Sequence, residues 1–224
     1  MLVVFRTVYG QDTLQRFIFF PNAMHKTWSS SLGFTFTTLP QAITEETHIS
    51  VPAIDFHVLR RAGQNFNLDA RTFIQVLQNH ISVGFRWVHS PSDKLRISFG
   101  DDLAGWVGWI KIQTINTRGY GILNYPNFSM GYKFDDELLL TFKAELLLNF
   151  YQRFFVGEQV IEENPELYSG EAFSIALEQP FFKDTWITLG FRAMYSNFFW
   201  QAWSLFEDYD RNIFYPQLTA AFIL

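Results

Sequence analysis

From Trp28 onward the chain alternates apolar and polar residues with a period of two. The clearest run sets Leu140, Phe142, Ala144, Leu146, Leu148 and Phe150 against Thr141, Lys143, Glu145, Leu147 and Asn149. Ile81, Val83, Phe85 and Trp87 alternate in the same way with His80, Ser82, Gly84 and Arg86. Further on, Ile187, Leu189, Phe191, Ala193 and Tyr195 alternate with Thr188, Gly190, Arg192 and Met194. A strand sends successive side chains to opposite faces, whereas a helix turns every 3.6 residues and cannot gather such sets on one side. The segments are therefore strands with one greasy and one polar face.

Composition decides which kind of sheet this is. Hydrophobic residues make up 48% and aromatics 19%, with 26 Phe, yet the mean hydropathy is only +0.01. No uninterrupted apolar stretch approaches the roughly 20 residues a membrane helix needs. Apolar content diluted evenly by polar residues is what a barrel wall with one face in lipid produces. The expected fold is all-β, a transmembrane antiparallel β-barrel filling residues 12–224 as one domain.

Turn-rich stretches at 90–93, 135–137 and 179–184 recur at a regular interval, and counting back by the same interval reaches 39–47. Longer connections at 61–68, 113–119, 157–170 and 196–211 fall between them. Short turns on one side and longer loops on the other are a barrel pattern, and bacterial single-chain barrels have even strand numbers. Nine runs follow Trp28, and residues 14–20 supply a tenth. About ten strands are expected; eight or twelve also fit, since 197–206 has room for a strand of its own.

Aromatic residues near the strand ends are expected to form interfacial girdles: Trp87 and Tyr132 beside the short turns, with Trp28, Trp109 and Tyr195 at the opposite ends. Phe142, Leu146, Phe191 and Phe222 represent the lipid-facing wall. The opposite parity places Asp55, His57, His80, Arg86, Lys94, Arg96, Lys143, Glu145, Glu178 and Arg192 inside. Isolated charges in a narrow interior are costly. Arg86, Arg96, Lys143, Glu145 and Arg192 are thus expected to form a lumen charge network, Glu145 pairing with Arg96 or Arg192.

The C-terminal run at 214–224 keeps Phe214, Leu218, Ala220, Phe222 and Leu224 in alternation. It resembles the terminal strand of bacterial outer-membrane β-barrels, departing from that pattern by ending in Leu224 and by carrying Pro216. Proline donates no ladder bond, so Pro216 is expected at a bulge or an unpaired position. The resemblance implies location in the bacterial outer membrane and contact with membrane lipids. It also implies a porin-like, structural, narrow-conduit or small-ligand and lipid-binding role, with an envelope-complex protein as a partner.

Other functions find less support. A net charge of −5 gives no basic footprint for nucleic acid. The absence of Cys removes thiol nucleophiles and Cys-based metal sites. No cofactor motif, metal motif or catalytic set is assigned. An outer-membrane hydrolase or acyl-transferase would draw on His57 or His80. Asp55 and His57 share a strand face, with Ser50 on the same strand, but side chains at i and i+2 stand about 7 Å apart. A soluble barrel with an apolar ligand cavity is the remaining alternative, and it would turn the greasy parity inward. Glu158, Glu162, Glu163, Glu166 and Glu171, and later Glu207, Asp208 and Asp210, make acidic loops that could attract a divalent cation. Their spacing matches no calcium-loop motif, and a solvated loop explains them as well. Residues 1–11 read either as the remnant of a signal peptide or as an N-terminal segment of the mature chain.

Overall fold

The computed structural model describes residues 16–24, 26–40, 49–76, 78–112, 115–135, 137–161, 166–182, 185–197 and 212–224. Its strands are β1 (Trp28–Thr38), β2 (Ser50–Arg61), β3 (Phe66–Ile74), β4 (Gln78–His89), β5 (Leu95–Ile112) and β6 (Ile115–Lys133). They continue with β7 (Leu139–Val156), β8 (Gln159–Ile161), β9 (Tyr168–Phe182), β10 (Thr185–Ser196) and β11 (Ile213–Ile223). No helix occurs among the described residues.

Each strand pairs antiparallel with its neighbour, and β1 pairs with β11, so the sheet closes. The short β8 pairs only with the end of β7 and stands outside the ring, which leaves a barrel of ten strands from the eleven. Closure removes the free edges that an open sheet would present. At the closing seam, Gly33 lies opposite Ala221, and a Cβ there would overlap the Ala220 carbonyl and the Ala221 backbone.

Greasy and polar faces are sorted as the alternation requires. On the outside, Phe34, Phe142, Leu146, Phe191 and Phe222 are 41–54% exposed. On the inside, Thr35, Asp55, His57, Asn127, Ser129 and Thr188 are buried. The soluble alternative needs the reverse arrangement, so this sorting contradicts it.

All ten barrel strands lie from Trp28 onward, which corrects the use of residues 14–20 as a strand. Residues 16–20, the described part of that segment, are not extended into the sheet; Phe17, Ile18 and Phe20 are buried inside the barrel. Hydrophobicity marked the segment for burial, but against the interior instead of in the wall.

The connection ends also shift. The turns 62–65, 90–94 and 134–138 and the short link between Phe182 and Thr185 lie at one end of the barrel, together with the start of β1 and the end of β11. The end of β1 and the start of β2, which flank 39–49, lie at the other end, not with the short turns, and 61–68 contributes a tight turn and the start of β3. Trp28 therefore sits at the same end as Trp87 and Tyr132, while Trp109 and Tyr195 sit at the opposite one. The stretch Gly100, Asp101 and Asp102 does not interrupt its strand: β5 runs through it with paired neighbours on both sides. Pro216 lies one residue beyond the end of the β1–β11 ladder, where no bond from its nitrogen is needed on that side.

The seam supplies a test of closure. Gly33→Val should abolish the compact, heat-modifiable gel band of the folded barrel, whereas Ser30→Val on the same strand should keep it.

Candidate functional site: the barrel interior

The interior is stacked in three levels. At the short-turn end, residues 16–24 enter the barrel and pack Phe17, Ile18, Phe20 and Met24 against Leu59, Leu139 and Ile223. Such a segment brings backbone N–H groups away from water, and each needs a partner. Glu178, fully buried on β9, supplies it: Ile18 N and Phe19 N donate to Oε1 at 2.7 and 3.1 Å, and Phe20 N donates to Oε2 at 2.8 Å. Thr188 Oγ1 donates to the same carboxylate at 3.2 Å. Three convergent amide donors on one carboxylate form an anion nest made by the segment's own backbone.

The wall binds the segment's other groups. Arg86 Nη1 donates to Ile18 O at 2.8 Å, Ser29 Oγ to Phe17 O at 2.7 Å, and Asn67 Nδ2 to Asn22 O at 3.0 Å. Arg96 Nε donates to Asn22 Oδ1 at 3.2 Å. Gly131 on β6 makes room: a Cβ there would stand 2.6 Å from both Phe20 Cε2 and Pro21 Cδ.

Above this plug lies a charged level around a small cavity of about 60 Å³. Asp55 takes a bidentate pair from Arg71, at 2.9 Å from Nε and 2.6 Å from Nη2, and a hydrogen bond from Thr35 Oγ1 at 2.8 Å. His57 Nε2 lies 2.7 Å from Asp69 Oδ1, and Arg86 forms an ion pair with the other oxygen of Asp69. Across the barrel Glu145 bridges Lys143 and Arg192, each at 2.9 Å, and Lys143 also reaches Asp102 at 3.4 Å. Asp55, Asp69, Asp102 and Glu145 thus meet Arg71, Arg86, Lys143 and Arg192, four carboxylates against four cations. Matching opposite charges in a narrow interior is how their desolvation cost is offset.

Of the sequence-derived network, Lys143, Glu145 and Arg192 come together. Arg86 joins Asp69 on the neighbouring side of the cavity. Arg96 does not pair with Glu145; it lies near the short-turn end, bonded to Asn22 and to the Ser92 carbonyl, and Lys94 is exposed in the turn before β5. Asp69 and Arg71 were not found from sequence, because they lie on β3, whose first residues read as a connection.

The third level, toward the longer loops, is apolar. Phe73, Trp106, Leu123, Tyr125, Leu147, Phe154, Met194 and Tyr215 form one cluster inside the barrel. The sign was present in the alternation: Leu147 and Met194 are apolar residues on the polar parity. At the loop end the interior packs like a protein core instead of lining a water channel.

The catalytic candidates are not assembled. Asp55 is held by Arg71, and the carboxylate partner of His57 is Asp69. Phe19 packs edge-on to the His57 ring at 5.2 Å, and Ser50 stands exposed at the far end of β2, 3.1 Å from Thr38 Oγ1. Among the acidic loop residues, Glu162, Glu163, Glu207, Asp208 and Asp210 lie outside the described residues, as do residues 1–11. Tyr168 hydrogen-bonds Glu171.

The shared carboxylate makes the charged level testable. Glu145→Ala strands two cations and should lower unfolding stability by about 3–5 kcal/mol. In a double-mutant cycle with Arg192→Ala, the second loss should be far smaller than the first; additive losses would show that the two side chains do not share one network.

No family model matches the chain, and no curated protein matches it. Among solved structures, it is similar to Neisserial surface protein A at 12% identity, covering 89% of this chain and 97% of that one with a TM-score of 0.42. It is also similar to the NanC porin at 6% identity, covering 86% and 98% with a TM-score of 0.44. The translocator domain of the autotransporter NalP from Neisseria meningitidis gives 8% identity, 88% and 86% coverage and a TM-score of 0.44.

Proposed function

We propose that this chain is an integral outer-membrane β-barrel whose interior is closed, serving a structural or small-ligand and lipid-binding role and not free diffusion of solutes. The outer wall supports the membrane location: a continuous apolar band would be unfavourable in water and is favourable against acyl chains. Short turns at one end, with both the start of β1 and the end of β11 beside them, support a periplasmic position for that end and an outer one for the longer connections.

The single observation that carries the closed state is the N-terminal segment inside the barrel. Residues 17–20 fill the periplasmic mouth, held by Glu178, Arg86 and Ser29 from three different strands. Behind it the paired charges and then the apolar cluster occupy the cross-section. A ten-stranded barrel has little interior beyond what its own side chains fill, so an added peptide segment leaves no wide path.

Bilayer recording tests this. The purified protein in planar bilayers should show negligible single-channel current. Gly131→Leu, which leaves every charged residue in place, should expel the segment and produce measurable openings while the heat-modifiable band persists. Steady wild-type conductance would contradict the closed state.

A further inference from the structure

The three longest strands, β5, β6 and β7, carry an outward-facing basic cluster at the end bearing the longer loops. Lys111, Arg118 and Arg153 are all exposed there. Arg118 lies opposite Trp109 of β5, and Arg153 lies opposite Tyr120 of β6, so register fixes all four side chains at neighbouring positions on the wall. The two guanidinium groups converge on one ring: Arg118 stands 4.4 Å and Arg153 5.4 Å from the centre of Phe155. Tyr120 stacks on the same ring at 6.0 Å and meets Tyr151 at 6.1 Å.

Holding two like charges over one ring is unfavourable unless an anion sits between or beside them. Among the described residues no carboxylate does so, and neither Arg118 nor Arg153 makes a hydrogen bond or ion pair. This differs from the interior, where every arginine around the cavity is matched. It also differs from the opposite rim, where Arg60 stacks alone over Trp28 at 4.9 Å. The ring faces still hold the guanidinium planes in place through cation–π attraction, leaving their N–H edges to bind.

Position selects the occupant. The cluster points outward from the wall, so a ligand within the lumen does not reach it. It stands level with the aromatic residues Trp109 and Tyr120, where amphipathic rings mark the boundary between acyl chains and headgroups. An anion at that height, beside the barrel, belongs to a lipid. Guanidinium forks suit phosphate oxygens in particular, since they offer paired donors to paired acceptors.

We propose that Arg118 and Arg153, with Lys111 beside them, form a binding site for the phosphate groups of a phosphorylated glycolipid in the outer leaflet. The proposal rests on the membrane orientation given above. Phe155, Tyr120 and Tyr151 form the platform that positions the guanidinium groups, and the sugar or acyl part of the lipid lies along the wall below.

The experiment uses the full chain, first inserted into phosphatidylcholine vesicles and checked by its heat-modifiable band. Native mass spectrometry from detergent then compares retention of diphosphoryl lipid A with that of the same lipid after removal of its phosphates. Wild-type protein should retain the phosphorylated form about tenfold or more over the dephosphorylated one. Arg118→Gln combined with Arg153→Gln should erase that preference, whereas Arg60→Gln at the other rim should keep it. Equal retention of the two lipids by inserted wild-type protein, or an undiminished preference in the double variant, would overturn the site while leaving the membrane barrel standing. Failure of the wild-type chain to insert would overturn both.

Discussion

A backbone surrounded by hydrocarbon has no solvent to satisfy its N–H and C=O groups, so a strand that enters lipid must find a partner on each side. On the proposed reading, pairing β1 with β11 meets that demand for the whole sheet at once. Everything else follows from having a closed cylinder. Once the ring is complete, successive side chains have only two directions, and the period-two pattern sorts them into an apolar exterior and a narrow interior. Gly33 and Ala221 at the seam show how local the requirement is: backbones meet there at a spacing that a larger side chain would spoil.

A narrow interior then creates its own problem. Charges that keep the inner parity polar are withdrawn from bulk water and must be matched, which is why four carboxylates and four cations interlock around the cavity. The amides of the N-terminal segment face the same constraint, and Glu178 satisfies three of them in one place. Its carboxylate has no cation against it among these contacts; the backbone itself provides the positive potential. Plug and charge level are also joined to each other, since Arg86 reaches both Ile18 O and Asp69. Displacing the segment would therefore disturb the ion pairs above it. On the proposed reading, closure of the lumen is a property of the interior as a unit.

Much of this architecture was legible in the sequence, because alternation is a local property and a closed wall with one apolar and one polar face makes it strict. The wall positions follow from it; the total of ten was reached with residues 14–20 as one member, whereas all ten ring strands lie from Trp28 onward. The assignment of residues 14–20 to the wall failed because Phe17, Ile18, Phe19 and Phe20 are hydrophobic for burial inside a cylinder, which composition does not distinguish from burial in lipid. That error placed 39–47 with the short turns and Trp28 at the wrong end. In the interior, the inward set including Glu145 and Arg192 could be read from parity, but partner choice could not. Glu178 meets residues some 160 positions away in the chain, a pairing that no local pattern encodes. The apolar third level was hinted at by Leu147 and Met194, each breaking the polar parity, and those breaks carried real information.

The most direct test of this account is the environment of successive residues in one strand. The chain contains no Cys, so single cysteines at positions 140 to 146 of β7 can each carry a nitroxide label in vesicles. Accessibility to oxygen, which concentrates in the bilayer, should exceed accessibility to an aqueous nickel complex at Phe142, Ala144 and Leu146, and should drop at Thr141, Lys143 and Glu145 between them. The opposite phase, or uniform exposure to the nickel complex at both sets, would contradict the assignment of the greasy face to lipid.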